Sequence, residues 1–233
     1  MPITRPAIGG LTPFTTIDFP GQLAAVIFCQ GCTWRCGYCQ NAHLLDFRIK
    51  PALSWEEIDA FLQRRQGLLD AIVFSGGEPL LQKGLLEAVQ HVRSLGFKVA
   101  LHTGGVNSKG FAKVLPYLDW VGFDIKAPFD RYASITGVPN SGKHPLASAK
   151  RLLESGVAYE FRTTVHPQLI NESDLLELAT FLAELGGQHY VLQDCRTIDC
   201  LEHSLENLSY NQVLSNDKLI QAIRDLIPNT TLR

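Results

Sequence analysis

Six times along this chain a short apolar run rich in Val, Ile and Phe is followed by a longer segment of helical period, and this alternation restricts the fold more than any other feature. The runs predict strands at Ala24–Cys29, Ala71–Ser75, Lys98–His102, Trp120–Ile125, Ala158–Val165 and His189–Gln193. Short and mostly apolar, they read as buried parallel strands. Helices are predicted over Ser54–Gln66, Leu80–Leu95, Ser108–Leu115, Pro145–Ser155, Glu172–Leu185 and Asp217–Leu226. The first of these opens with a capping box, Ser54 followed three residues later by Glu57. Repeated strand–helix units imply a parallel sheet with right-handed crossovers, so the fold class is α/β. Pattern alone leaves open whether the sheet is doubly wound or curls into a closed or partial barrel.

Composition fits one domain over residues 1–233: hydrophobic residues make up 45% and charged residues 19%, enough for a sizeable core. No linker, repeat or low-complexity tract interrupts it. The formal charge of −2 and the lack of a dense Lys/Arg run speak against nucleic acid. The longest apolar stretch, Leu23 to Cys29, is far short of the roughly 20 residues that cross a bilayer. Small molecules or another protein are the expected partners.

Six cysteines stand at 29, 32, 36, 39, 195 and 200, four of them clustered directly after the first strand. Clustered thiols in a chain with its own core point to metal rather than disulfides, and thiolate ligands need a reducing compartment, so a cytoplasmic location is expected. Cys32, Cys36 and Cys39 form a Cys-x3-Cys-x2-Cys run. Three thiolates on a cubane iron–sulfur cluster would leave one iron open, whereas Cys29 as a fourth ligand would make a compact zinc knuckle. On thiol spacing alone the two stand level. Ser75-Gly76-Gly77-Glu78-Pro79 then falls at the end of the second strand, where paired glycines expose backbone to a ligand.

Together the Cys-x3-Cys-x-aromatic-Cys loop, with Tyr38 as its aromatic, and the Gly-Gly-Glu segment resemble the radical S-adenosylmethionine superfamily. The resemblance runs from Gly9 to about Val191 and implies a partial (βα)6 barrel of the TIM-like type with chemistry at the strands' C-terminal ends. It implies that Cys32, Cys36 and Cys39 ligate a [4Fe-4S] cluster whose open iron binds S-adenosylmethionine. Reductive cleavage of the sulfonium bond would then release a 5'-deoxyadenosyl radical that abstracts hydrogen. Gly76, Gly77 and Glu78 would meet the methionyl amino group, and Tyr38 would lie beside the adenine.

Thr103 after the third strand, and Asp124 with Lys126 after the fourth, match cofactor-binding positions of glycyl-radical activating enzymes, with a monovalent cation beside Asp124 in prospect. Arg162 is a further candidate for a carboxylate of cofactor or substrate. His102 departs from the Asp common in pyruvate formate-lyase activators, which weakens the case for the cation. Cys29, Cys195 and Cys200 read as structural thiols.

Within the superfamily, Ile17-Asp18-Phe19-Pro20-Gly21 ahead of the first strand resembles the activating proteins of anaerobic ribonucleoside-triphosphate reductase, where formate-lyase activators more often carry Val-Asp-Gly-Pro-Gly. That resemblance implies a large glycyl radical enzyme as partner. The 14 residues between Cys39 and Ser54 leave no room for an inserted ferredoxin-like domain, so electrons would come from a flavodoxin or ferredoxin. A radical enzyme acting on a small molecule, such as a pterin-derived base in deazapurine synthesis, is the alternative. A zinc-stabilised binding module is the remote one.

Overall fold

In the computed structural model, which describes residues 5–206 and 211–233, eight strands form one sheet. They are β1 (Ile8–Thr15), β2 (Ala24–Cys29), β3 (Ala71–Gly76), β4 (Lys98–Thr103), β5 (Trp120–Asp124), β6 (Ala158–Val165), β7 (His189–Asp194) and β8 (Asn229–Leu232). The strands lie side by side in chain order. β1 runs antiparallel to β2, and every later neighbouring pair is parallel. A doubly wound sheet reverses its order partway, whereas right-handed crossovers that always advance in one direction put every helix on the same face and curl the sheet. β1 and β8 do not pair, so the curled sheet stays an open, partial barrel.

The crossovers carry α1 (Trp55–Arg65), α2 (Leu85–Ser94), α3 (Ser108–Val114), the single-turn α4 (Tyr132–Thr136), α5 (Lys143–Ser155), α6 (Glu172–Glu184) and α7 (Asp217–Leu226). The Ser54–Glu57 capping box forms at the start of α1, with both reciprocal bonds in place. α2 begins five residues later than the periodicity predicts, because Pro79–Leu81 closes a 3-10 turn and Gly84 takes a left-handed φ of 80° at the cap. α5 begins two residues earlier than predicted. Pro145 occupies its first turn, where a missing N–H costs no helix bond.

The two faces of the sheet differ. The outer face, under the helices, is the main core, built on Ile27, Ile72, Phe74, Leu101, Phe123, Phe161 and Leu192, all fully buried. The inner face is lined with small residues near the strands' N-terminal ends: Ala24, Val26, Ala71, Val73 and Ala100. There Phe19 stacks on Trp120 with ring centroids 5.7 Å apart and closes the floor of the barrel. Small side chains low in the barrel and the stacked aromatic pair fill its inside near the floor, and a cavity opens at the strands' C-terminal ends.

Candidate active site

Side chains two apart on a strand share a face, and the alternation that buries Ile27, Phe74 and Phe123 outward turns Ser75, His102, Asp124, Arg162, Thr164 and Gln193 inward. These residues line a cavity of about 420 Å³ at the barrel mouth. Every site residue predicted above also lines it: Cys32, Cys36, Tyr38, Cys39, Gly76, Gly77, Glu78, Thr103, Asp124, Lys126 and Arg162. Strand ends supply the wall, and the loop after β2 supplies the lid.

That loop is held from three directions. The N–H of Gly31 and of Cys32 donate to the carbonyls of Leu44 and Leu45 (2.6 and 3.1 Å). Arg35 donates through its backbone N–H to Thr136 O at the end of α4, and through its guanidinium to the carbonyls of Cys32 and Trp34. From the far end of the chain, Leu201 N–H and Glu202 N–H donate to the carbonyls of Cys39 and Gly37 (3.1 and 2.9 Å). Trp34 packs edge-on against Tyr132, and the Trp34 N–H reaches Cys32 Sγ at 3.4 Å. Burial pushes the Cys32 thiol up to about 12 and the Cys36 thiol up to about 11, with the Lys126 ammonium pulling both down. Iron binding at these thiols must therefore release protons.

The glycine pair, besides lining the cavity, has a second physical reason that its sequence does not show. Gly77 N–H donates to Cys29 O at 2.9 Å and Glu78 N–H to Gly31 O at 3.0 Å, so the exit of β3 lies directly on the exit of β2. A Cβ on Gly76, whose φ is +112°, would meet Cys29 N at 2.4 Å, and one on Gly77 would meet Gly31 O at 2.5 Å. The close approach that requires glycine is made by the chain's own backbone. Glu78 then reaches across to β4: its carboxylate accepts from Thr103 Oγ1 (2.6 Å), Gly104 N–H (2.9 Å) and Leu80 N–H (3.0 Å). Burial raises its pKa, and these three donors pull it back. A carboxylate has about four acceptor positions, so three donors leave one for a ligand in the cavity.

Opposite Glu78, Asp124 holds two cations. Arg162 Nε donates to Oδ1 at 2.8 Å and Lys126 Nζ to Oδ2 at 3.2 Å. Arg162 Nη2 donates to Gly122 O, and a Cβ at Gly122 would stand 2.5 Å from Arg162 Nη1, so this glycine is what makes room for the guanidinium. Burial would raise the Asp124 carboxyl, but Arg162 and Lys126 hold it down at about 2. Burial likewise works against the Lys126 ammonium, yet Asp124 raises its pKa well above the ordinary value. The ammonium also lies 5.6 Å from the ring centroid of Tyr38, which ties β5 to the cysteine loop. With both Asp124 oxygens already facing cations of the chain, the residues here do not favour a monovalent cation.

His102 is a satisfied histidine that nevertheless faces the cavity. Its Nε2 lies 2.7 Å from Asp18 O, and a carbonyl can only accept, so Nε2 carries the proton. Burial, with Arg162 nearby, pushes its pKa down to about 3 and keeps the imidazole neutral. Sequence reasoning missed Trp34, Cys195 and Arg196 on the cavity wall, and the support given by α4 and residues 200–202. Gln193 and Asp194 also line the cavity, as their place at the end of the sixth predicted strand suggests.

The donor set fits an iron–sulfur cluster better than a single ion. Among the described residues, no three His, Cys, Asp or Glu side chains gather as one metal ion requires, whereas the thiols of Cys32, Cys36 and Cys39 ring one cavity. The zinc knuckle fails on the place of its fourth ligand: Cys29 packs in the outer core with Ile8 and Ile27, on the opposite face of the sheet. For S-adenosylmethionine the cavity offers a spare acceptor position on Glu78 and an ammonium at Lys126, which complement an amino group and a carboxylate.

The chain is similar to several known proteins. A protein of Methanocaldococcus jannaschii, named as a candidate glycyl-radical enzyme activating enzyme, is 27% identical over 97% of this chain and 95% of its own. The pyruvate formate-lyase-activating enzyme of Clostridium pasteurianum is 29% identical over 83% of this chain and 84% of its own. Among solved structures, Escherichia coli QueE superposes with a TM-score of 0.64 at 19% identity, covering 100% of this chain and 95% of that one. Streptococcus suis SuiB bound to S-adenosylmethionine superposes with a TM-score of 0.68 at 14% identity, covering 88% of this chain, which spans 48% of that protein. These two show the fold. The profile of the Radical SAM superfamily matches residues 26–182, from β2 to α6 and so through the cysteine loop, the glycine pair and the Asp124 cation pairs. The chain belongs to the radical S-adenosylmethionine superfamily, whose cofactors are a [4Fe-4S] cluster and S-adenosylmethionine.

Proposed function

We propose that the protein is an activase that abstracts a hydrogen atom from a backbone glycine of a large partner enzyme, anaerobic ribonucleoside-triphosphate reductase. The observation that carries this reading is the gathering of all eleven site residues around one cavity at the open mouth of the barrel, where a loop of another protein can enter. When bound, the cluster and S-adenosylmethionine supply a carbon radical strong enough to take that hydrogen. Cys32, Cys36 and Cys39 would hold the cluster. Glu78 would receive the amino group, with Gly76 and Gly77 setting its height on β2, and Thr103 would fix the Glu78 carboxylate. Lys126 would meet the carboxylate, and Asp124 and Arg162 would hold Lys126. Tyr38 would border the adenine.

The relatives matched over most of this chain are named for glycyl-radical activation, which supports the reaction class. Pyruvate formate-lyase is as well supported by those names as the reductase is. The Ile17–Gly21 segment supports the reductase, since Asp18 and Phe19 are the residues that touch His102 and Trp120, and His102 is itself a departure from the formate-lyase pattern. A cytoplasmic single-domain protein served by flavodoxin or ferredoxin completes the reading. No helix in the described residues is long and apolar enough to cross a membrane.

The test is anaerobic incubation of the reconstituted protein with S-adenosylmethionine, reductant and each candidate partner, followed by electron paramagnetic resonance. A glycyl doublet on the reductase, with deuterium passing from labelled glycine into 5'-deoxyadenosine, is the expected result. Multiple turnovers on a metabolite, with no radical on any partner, would replace this reading with the small-molecule one.

A further inference from the structure

The barrel cavity does not end at the barrel. A second trough of about 410 Å³ runs outward over the C-terminal ends of β6 and β7, and Asp194, Cys195 and Arg196 line both. The trough continues past Val165, Pro167 and Ile198. A continuous run of two such spaces, open along its length, suits a chain that passes through.

The walls give that chain a chemistry. Arg196 stands where the two spaces meet and is exposed. Among the described residues it forms no ion pair, whereas Arg131, Arg162 and Arg233 each have a carboxylate partner. Its backbone is nonetheless fixed: Arg196 O accepts from Gln40 Nε2 at 2.9 Å and from the thiols of Cys200 and Cys195 at 3.3 and 3.5 Å. A charged side chain free at its tip and anchored at its base is placed to meet an anion that the protein itself does not supply. Asp194, which lines both spaces beside it, takes a bond from Asn211 Nδ2 at 2.8 Å.

Beyond Arg196 the trough presents Val165, Pro167 and Ile198 beside His166, Asn211 and Arg233, the last already paired with Glu160. Ile198 is 74% exposed, and across the cavity mouth Ile17 is 72% exposed, the two most exposed large hydrophobic residues of the described chain. One lines the trough and the other the cavity. An extended peptide advances about 3.3 Å per residue, so a segment with one residue in the cavity brings its next few past Arg196 and Ile198 in turn.

We propose that this trough docks an extended segment of the protein substrate, carrying a carboxylate side chain that pairs with Arg196 and, beyond it, an aliphatic side chain that covers Ile198. The inference rests on the reading of the substrate as a polypeptide, and it adds how that polypeptide is recognised. Arg196 and Ile198 set specificity; the chemistry remains with the cavity.

The experiment uses the reconstituted holoprotein with S-adenosylmethionine present, titrated by fluorescence anisotropy with labelled nonapeptides centred on glycine. The peptides carry Glu or Lys two residues from the glycine, on either side, and Leu or Ala at the end beyond. Wild type is expected to bind the Glu, Leu peptide roughly fivefold more tightly than its Lys twin at low salt. Arg196→Glu should reverse that order, and Ile198→Ser should abolish the preference for Leu over Ala. Both side chains are exposed, so neither substitution threatens the fold. Equal binding of the Glu and Lys peptides, an unchanged order in Arg196→Glu, or competition by N-acetylglycinamide as effective as by the nonapeptide would overturn the inference. The partner-radical assay separates the two claims. A radical on the reductase without peptide selectivity removes the trough and keeps the activase, whereas selective peptide binding with no radical on any partner does the reverse.

Discussion

Replacing Glu78 by Gln tests whether the carboxylate that links β3 to β4 is ionised and holds the site together. Glu78 Oε1 accepts from Leu80 N–H and Thr103 Oγ1, and Oε2 accepts from Gly104 N–H. An amide has one oxygen, so in one orientation its NH2 faces the Gly104 N–H and in the other the Leu80 N–H. Either way a buried backbone donor loses its acceptor, at a cost of about 1–3 kcal/mol. The surviving bonds lose their charge assistance, which adds about 1 kcal/mol. A total of roughly 2–4 kcal/mol lowers the melting temperature of a domain this size by roughly 5–15 °C.

Calorimetry on the apoprotein at pH 7 measures this without the cofactor. Thr103→Val removes a partner from the same network, because Thr103 Oγ1 also accepts from Gly105 N–H at 2.9 Å. The double variant should therefore lose less than the sum of the single ones. A Glu78→Gln midpoint within a degree of wild type would refute the argument: it would mean that burial already keeps the carboxyl protonated and that the amide replaces it at no cost.

Cys29→Ala should retain iron and acid-labile sulfide after reconstitution, whereas Ala at 32, 36 or 39 should each abolish the cluster; loss of iron from Cys29→Ala would restore the four-thiol site. Acid should destabilise the apoprotein through Asp124. Its carboxyl is lowered from 3.8 to about 2, so its contribution is complete above pH 4 and is lost as pH falls through 2. That shift is worth at most about 2 kcal/mol, because 32% of the side chain is exposed. Gly122→Ala should fold but swing Arg162 off Asp124, raising the Asp124 pKa and narrowing this acid-dependent loss in denaturant titrations at pH 2, 3 and 5. An acid profile identical to wild type would show that the guanidinium accommodates the new Cβ without leaving Asp124.

Much of this architecture was readable from the residues because the central strands are apolar on both faces, and their boundaries fall within one residue of those predicted. The two outermost strands were not. β1 carries Gly9, Gly10 and Pro13, which an edge strand with register shifts tolerates, and β8 is four residues of Asn, Thr, Thr and Leu. The polar strand ends were legible through their spacing of two along strands. The supports of the cysteine loop were not, because Arg35 to Thr136 and Leu201 to Cys39 are contacts between segments far apart in sequence. Gly76 and Gly77 line the cavity as their pattern suggests, but only the packed structure shows β2 lying against them.

The floor of the barrel has a consequence for building hybrids with formate-lyase activators. His102 donates to Asp18 O and meets Trp120 edge-on at 5.6 Å, while Phe19 stacks on the other partner of that contact, Trp120. A chimera that imports Val-Asp-Gly-Pro-Gly for residues 17–21 alone would remove the Phe19 plug and leave an indole facing empty space. One that imports Asp for His102 alone would set a carboxylate against a carbonyl, two acceptors with no proton between them. Residues 17–21, 102 and 120 therefore form one exchangeable module, and a hybrid tolerates this region only when all of it comes from a single parent.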